Sequence, residues 1–111
     1  MTEEIGGGRY KFVEKVIYIN GASGTAKTID WLNGEVQKVA MTDDCTFTFT
    51  NPIIGICRLW INNGMFVYTA IWPENIKWQD DTSPSFTANR IALVEFYYDG
   101  TNYLGNWGEY Y

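Results

Sequence analysis

Hydrophobic positions along this chain alternate with polar ones at a period of two, and the three-to-four spacing of a helix is never sustained. In "CTFTFT" (45–50), Cys45, Phe47 and Phe49 fall on one side and Thr46, Thr48 and Thr50 on the other. In "ICRLWIN" (56–62), Cys57, Leu59 and Ile61 oppose Arg58 and Trp60. In "RIALVEFYY" (90–98), Glu95 sets the solvent side, so Ala92, Val94, Phe96 and Tyr98 face a core while Ile91, Leu93 and Tyr97 face outward. That outer face is too apolar for a free-standing surface.

Strand-like runs recur at 10–19, 28–32, 35–41, 45–50, 56–62, 65–71, 90–98 and 102–107, separated by "NGASGTA", "NG", "TDD", "NPIIG", "NNG" and "DG". These punctuations predict hairpins throughout. The expected fold is all-β, a single antiparallel β-sandwich or jelly-roll-like domain of about eight short strands. Pro73 cannot donate to a ladder and marks an edge or crossover. The polar stretch from Gln79 onward is expected to carry the chain from one sheet to the other. Residues 1–9, "MTEEIGGGR", have the composition of a flexible arm, and residues 10–111 are expected to form the domain.

A chain of 111 residues with 46% hydrophobic and 17% aromatic positions has ample material for one core and is not of disordered composition. The net charge of −5, with eight Lys and Arg scattered singly, lacks the basic stripe that phosphate backbones require, so nucleic acid is not an expected partner. No apolar run approaches the roughly 20 residues needed to span a bilayer, and the acidic start points to synthesis in a cytosol. If strands 45–50 and 56–62 pair as a hairpin, Cys45 and Cys57 lie about 13 Å apart along the ladder, beyond the ~7 Å limit for a disulfide, and two separate buried thiols are expected.

Candidate chemistry is sparse. The chain has no histidine, which removes the commonest general base, and no catalytic set, cofactor or metal site is expected. Asp43–Asp44 and Asp80–Asp81 read as turn formers bonding to nearby amides, with a surface calcium ion as the alternative. "GASGTA" (21–26) lacks the Gly-Lys-Ser/Thr and the helix of a phosphate loop. Trp72 and Trp78, flanking Pro73, either cap the open end of the sandwich or, with Asn62 and Asn63 of the 62–64 turn, form a surface that stacks on a glycan. The C-terminal aromatics Tyr103, Trp107, Tyr110 and Tyr111 join Ile91, Leu93 and Tyr97 as a candidate subunit interface, where Trp and Tyr are enriched.

Three blocks in order, "TIDWLNGEVQKVAMTDDCTFTFTNP", "WPENIKW" followed by Ser-Pro, and "FYYDGTNYLG", resemble a small β domain that recurs in virion proteins of tailed bacteriophages, especially tail fibres and other appendages. The resemblance runs from about Tyr10 to Trp107. It departs from that pattern at "NNGMFVYTAI" and "QDD", where a Gly-rich segment and a Gly are usual, and the domain more often sits inside longer polypeptides. The resemblance implies a non-catalytic virion structural protein, a capsid decoration or a tail or fibre component. It also implies partners in other virion proteins and in further copies of itself, with a trimer as the first expectation. A receptor- or carbohydrate-binding module of a phage appendage, contacting host surface glycan, is the alternative. Asp99-Gly100 is expected to turn the last hairpin, its rings and the "WGEYY" tail being buried by neighbouring subunits.

Overall fold

The computed structural model describes residues 16–110. The 1–9 arm and Tyr111 lie outside the described residues, as does most of the 10–19 run. Among the described residues, nine strands form two facing sheets around one core: β1 (Tyr18–Ala22), β2 (Ala26–Asp30), β3 (Val36–Ala40), β4 (Cys45–Thr50), β5 (Gly55–Asn62), β6 (Ala70–Ile71), β7 (Ile76–Trp78), β8 (Ile91–Tyr98) and β9 (Tyr103–Tyr110). The large sheet has the order β1-β3-β5-β8-β9-β7 and the small one β2-β4-β6. The fold is therefore all-β and sandwich-like.

Strand directions depart from the hairpin expectation. The first six strands alternate between the two sheets, so β1, β3 and β5 stack in parallel in one and β2, β4 and β6 in parallel in the other. This is the winding of a short β-solenoid, and Gln37 lies level with Tyr18 below it and Leu59 above it, one coil away in each direction. Turns read as hairpins are instead arches between sheets. Asn33-Gly34 follows a 3-10 turn at Trp31–Asn33, where the Asp30 carboxylate accepts from the Leu32 amide at 3.0 Å and Gly34 takes φ +149°. "NPIIG" likewise joins β4 in the small sheet to β5 in the large one, so the two cysteine strands never pair. Both thiols are nevertheless free and buried.

The remaining strands are partly antiparallel. β8 pairs with β5 on one side and β9 on the other, and three-residue β7 runs parallel to β9 at the sheet edge. Because β7 and β8 share a sheet, the polar connection between them does not cross over as expected. The Asp99-Gly100 hairpin forms where the sequence places it: one Asp99 carboxylate oxygen accepts from the amides of Thr101 (2.9 Å) and Asn102 (2.8 Å), and Gly100 takes φ +103°. The 65–71 run is strand only at Ala70–Ile71, and Met65, Phe66 and Val67 are exposed.

Alternation fills the core from both sheets. Cys45 and Phe47 of β4 meet Cys57, Leu59 and Ile61 of β5 and Ala92, Val94 and Phe96 of β8. Phe96 is fully buried at the centre of a ring cluster, with Phe49, Trp31, Trp72, Trp78 and Tyr103 at centroid distances of 5.1 to 6.2 Å. Several of these contacts are edge-on, each contributing about 0.5–1.5 kcal/mol beyond burial alone. The first coil buries a polar side chain, Gln37, beside apolar Ile29, Trp31 and Val39. Buried Gln37 donates to the carbonyls of Asp30 (2.8 Å) and Gly34 (2.9 Å) and accepts from Asn20 (3.0 Å), while Lys27 Nζ donates to the Asn20 carbonyl at 3.0 Å. Gln37 is thereby satisfied inside the end coil, whereas the buried Trp31 indole N–H of the same coil has no hydrogen-bond partner.

Candidate functional site

The outward-facing residues of β5, β8 and β9 lie in cross-strand rungs. Ile56, Tyr97 and Leu104 form one; Arg58, Glu95 and Asn106 the next; then Trp60, Leu93 and Gly108; and finally Asn62, Ile91 and Tyr110. The Arg58–Glu95 pair, N–O distance 2.9 Å, divides this face into two halves.

One half is apolar apart from Asn62 in its last rung. Trp60, Ile91, Leu93 and Tyr110 wall a cleft of about 300 Å³, open because Gly108 carries no side chain opposite Leu93 and a Cβ there would meet nothing within 4 Å. The other half is a groove of about 420 Å³ with Ile56, Tyr97 and Leu104 as its apolar part, each about half exposed. Lys77 and Gln79 from β7 and its following turn, with Glu95 and Asn106 from the dividing rung, supply its polar fringe. Beneath this half, on the core side, a Cβ on Gly105 would stand 2.8 Å from the Trp78 ring, so the indole packs directly on the backbone of β9.

Two buried acids also lie under the groove half. Burial pushes the Cys57 thiol up to about 12, helped by the negative charge of Glu35 and opposed by Arg58. Burial likewise raises the Tyr103 phenol to about 12, with the neighbouring Cys57 and Tyr98 adding to the effect and the Trp31 side chain opposing it. Cys45, in the small sheet, is raised chiefly by burial. Among the described residues no three metal-ligating side chains converge.

Of the expected interface residues, the structure brings Ile91, Leu93 and Tyr110 together in the apolar half and puts Tyr97 on the same face across the ion pair. Tyr103 does not belong with them: it is 2% exposed and points into the ring cluster, because odd positions of β9 face inward. Trp107 shares that inward parity, and its indole N–H donates to the Thr82 carbonyl at 3.2 Å.

The expected glycan set is split. Trp72 stacks on Phe47 at 4.9 Å and meets Trp78 edge-on at 5.5 Å, so these rings pack on the core, but the buried Trp72 indole N–H has no hydrogen-bond partner, where capping called for one to a loop carbonyl. Trp78 also reaches the margin of the groove. Asn62 lies five residues along β5 from Cys57, the residue level with Phe96, Gly105 and Trp78, hence about 16 Å along the strands from Trp78 and three strands across from it. Asn63 is buried there with both amide atoms unpartnered. Of the acidic pairs, Asp44 accepts from the Thr69 amide at 2.8 Å and Asp43 from the Asp44 amide at 2.8 Å, as turn formers do. Asp80 and Asp81 both take positive φ in the turn at Gln79–Asp81.

Lys77, Gln79, Leu104 and Asn106 escaped the sequence reading. They become neighbours of Tyr97 only because β7 returns to pair with β9, a contact between strands 27 positions apart (Ile76 with Tyr103) that no local pattern announces.

No family model matches the chain, and neither a curated protein nor a solved structure does so.

Proposed function

We propose that this chain is a non-catalytic structural subunit that assembles with copies of itself, as a capsid decoration or a tail or fibre component of a tailed-phage particle. The observation that carries self-assembly is the cleft walled by Trp60, Ile91, Leu93 and Tyr110 alone, on an otherwise regular sheet face. A hollow lined by the apolar surfaces of these four side chains gains little from water and suits an apolar side chain of a partner. The particle assignment is supported by the three sequence blocks, and a closed trimer is the expectation that goes with it. On this reading the protein resides in the virion, after synthesis in the host cytoplasm, and other virion proteins are its further partners.

The absolute mass of the purified protein, by light scattering coupled to size exclusion, tests the self-assembly. A defined oligomer is expected for the native chain, with Leu93→Asp and Tyr110→Glu each shifting it to monomer while the circular dichroism of the sheet is kept. A native chain that stays monomeric at tens of micromolar sinks the reading.

A further inference from the structure

The groove beside Tyr97 has a different chemistry from the apolar cleft, and we propose that it is a saccharide-binding site. This goes beyond the structural reading and does not depend on it.

The groove offers an exposed aromatic ring with hydrogen-bonding groups around it. Tyr97 is 49% exposed and stands between Ile56 and Leu104 in one rung, giving a flat apolar platform. A sugar ring has a matching C–H face, and its hydroxyls, each both donor and acceptor, project around that face. Around Tyr97, Asn106 and Gln79 carry amides that donate and accept, Lys77 donates, and Glu95 accepts. Among the described residues, the side chains of Lys77, Gln79 and Asn106 make no hydrogen bond of their own. Glu95, which lines the groove, accepts from Arg58 at 2.9 Å through one oxygen. A volume of about 420 Å³ lies in the range of small-molecule sites and suits a short stretch of oligosaccharide.

A purely apolar partner fits this groove badly, because it would strand Lys77 and two amides away from water. A glycan satisfies them. Trp72 is committed to the core and Trp78 reaches only the margin of the groove, so the exposed ring that serves as stacking platform is Tyr97.

Incubation of the folded protein on an array of bacterial, plant and animal oligosaccharides, followed by saturation-transfer NMR with the strongest hit, tests the assignment. Retention is expected, with transfer to the C–H protons of one sugar face. Tyr97→Ala is expected to weaken it at least about tenfold, Tyr97→Trp to restore it, and Asn106→Ala to weaken it about threefold to tenfold. Both positions are solvent-facing, so the variants remain folded, and circular dichroism checks this. If no array saccharide is retained, or if retention survives both Tyr97→Ala and Asn106→Ala, the assignment is overturned.

Discussion

The two halves of the outer face are built on the same three strands, from the same alternation, a few residues apart, and yet they present opposite surfaces to a partner. In the half containing Leu93, the rung partner on β9 is Gly108 and the surrounding side chains are apolar except for Asn62 at the far rung. In the half containing Tyr97, the rung is equally apolar but β7 and the dividing rung ring it with an ammonium group, two amides and a carboxylate. What a sheet face recognises is thus set less by the residues at its centre than by what the neighbouring strand and turn bring to its margin. The apolar half suits another protein surface; the fringed half suits a ligand covered in hydroxyls.

A crossover between the two halves carries the largest expected effect. Leu93→Asp places an unpaired charge in the apolar cleft and is expected to weaken self-association by a hundredfold or more, on the order of 3 kcal/mol, while saccharide retention is unchanged. Tyr97→Ala is expected to do the reverse. Light scattering and the glycan array, run on both variants, read the two outcomes side by side. If either substitution moves both readouts, the halves are one surface and the comparison fails.

Next in size comes a pair of glycines on β9. Gly105→Ala drives a methyl group against the Trp78 ring, and overpacking of this kind costs about 1–3 kcal/mol, seen as a melting temperature lower by several degrees. Gly108→Ala, three residues on, projects into open space and is expected to change stability by no more than about 0.5 kcal/mol. Thermal denaturation of the two variants measures the contrast. Equal losses would mean that the Trp78 contact does not constrain the groove half.

Alkaline pH separates the halves in a third way. Cys57 and Tyr103 are acids whose folded values lie near 12, above their ordinary 9.0 and 10.0, so the folded chain holds these protons more tightly than the unfolded chain. Their contribution is complete below about pH 9 and declines as the pH climbs toward 12. Both lie beneath the groove half, whereas Leu59, Ile61, Ala92 and Val94 beneath the other half do not titrate. Melting temperature is therefore expected to fall between pH 9 and 11, and Tyr103→Phe combined with Cys57→Val should flatten the fall. A fall of undiminished slope in that double variant would assign the alkaline loss elsewhere.

The sequence made the faces legible but not the path between them. Inward Cys45, Phe47, Cys57, Leu59, Ile61, Val94 and Phe96 follow from period two alone, as do outward Ile91, Leu93 and Tyr97, because pleating imposes that parity whatever the strand pairs with. Parallel stacking was hidden because the residues that turn a hairpin also turn an arch. Asn33-Gly34 and Asn51 to Gly55 supply positive φ in either case, at Gly34, Asn51 and Gly55, and nothing local says whether the chain doubles back in its own sheet or crosses to the other. Tyr103 was misplaced for a related reason: parity along β9 is set by its pairing with β8, while "NYLGNW" alternates too weakly to show it. Ile91 and Leu93 of the apolar half were accordingly readable from one strand, and the fringed half was not, since it needs β7 beside β9.

The smallest expected effect bears on the boundary itself. Arg58 and Glu95 are 40% and 38% exposed, and a pair so open to solvent contributes about 1 kcal/mol or less, because water screens the attraction and both side chains lose freedom in forming it. Glu95→Gln and Arg58→Gln should each leave the melting temperature within a few degrees of native. The pair matters more for what it interrupts. Replacing both with leucine would join the Ile56–Tyr97–Leu104 and Trp60–Leu93 rungs into one uninterrupted apolar band, a surface with no charge to limit how copies register against each other. The double variant is expected to keep its fold and stability within about 1 kcal/mol while passing from a defined oligomer to polydisperse, higher-mass species in light scattering. If it stays monodisperse at the native mass, the ion pair is not what confines assembly to one half of the face.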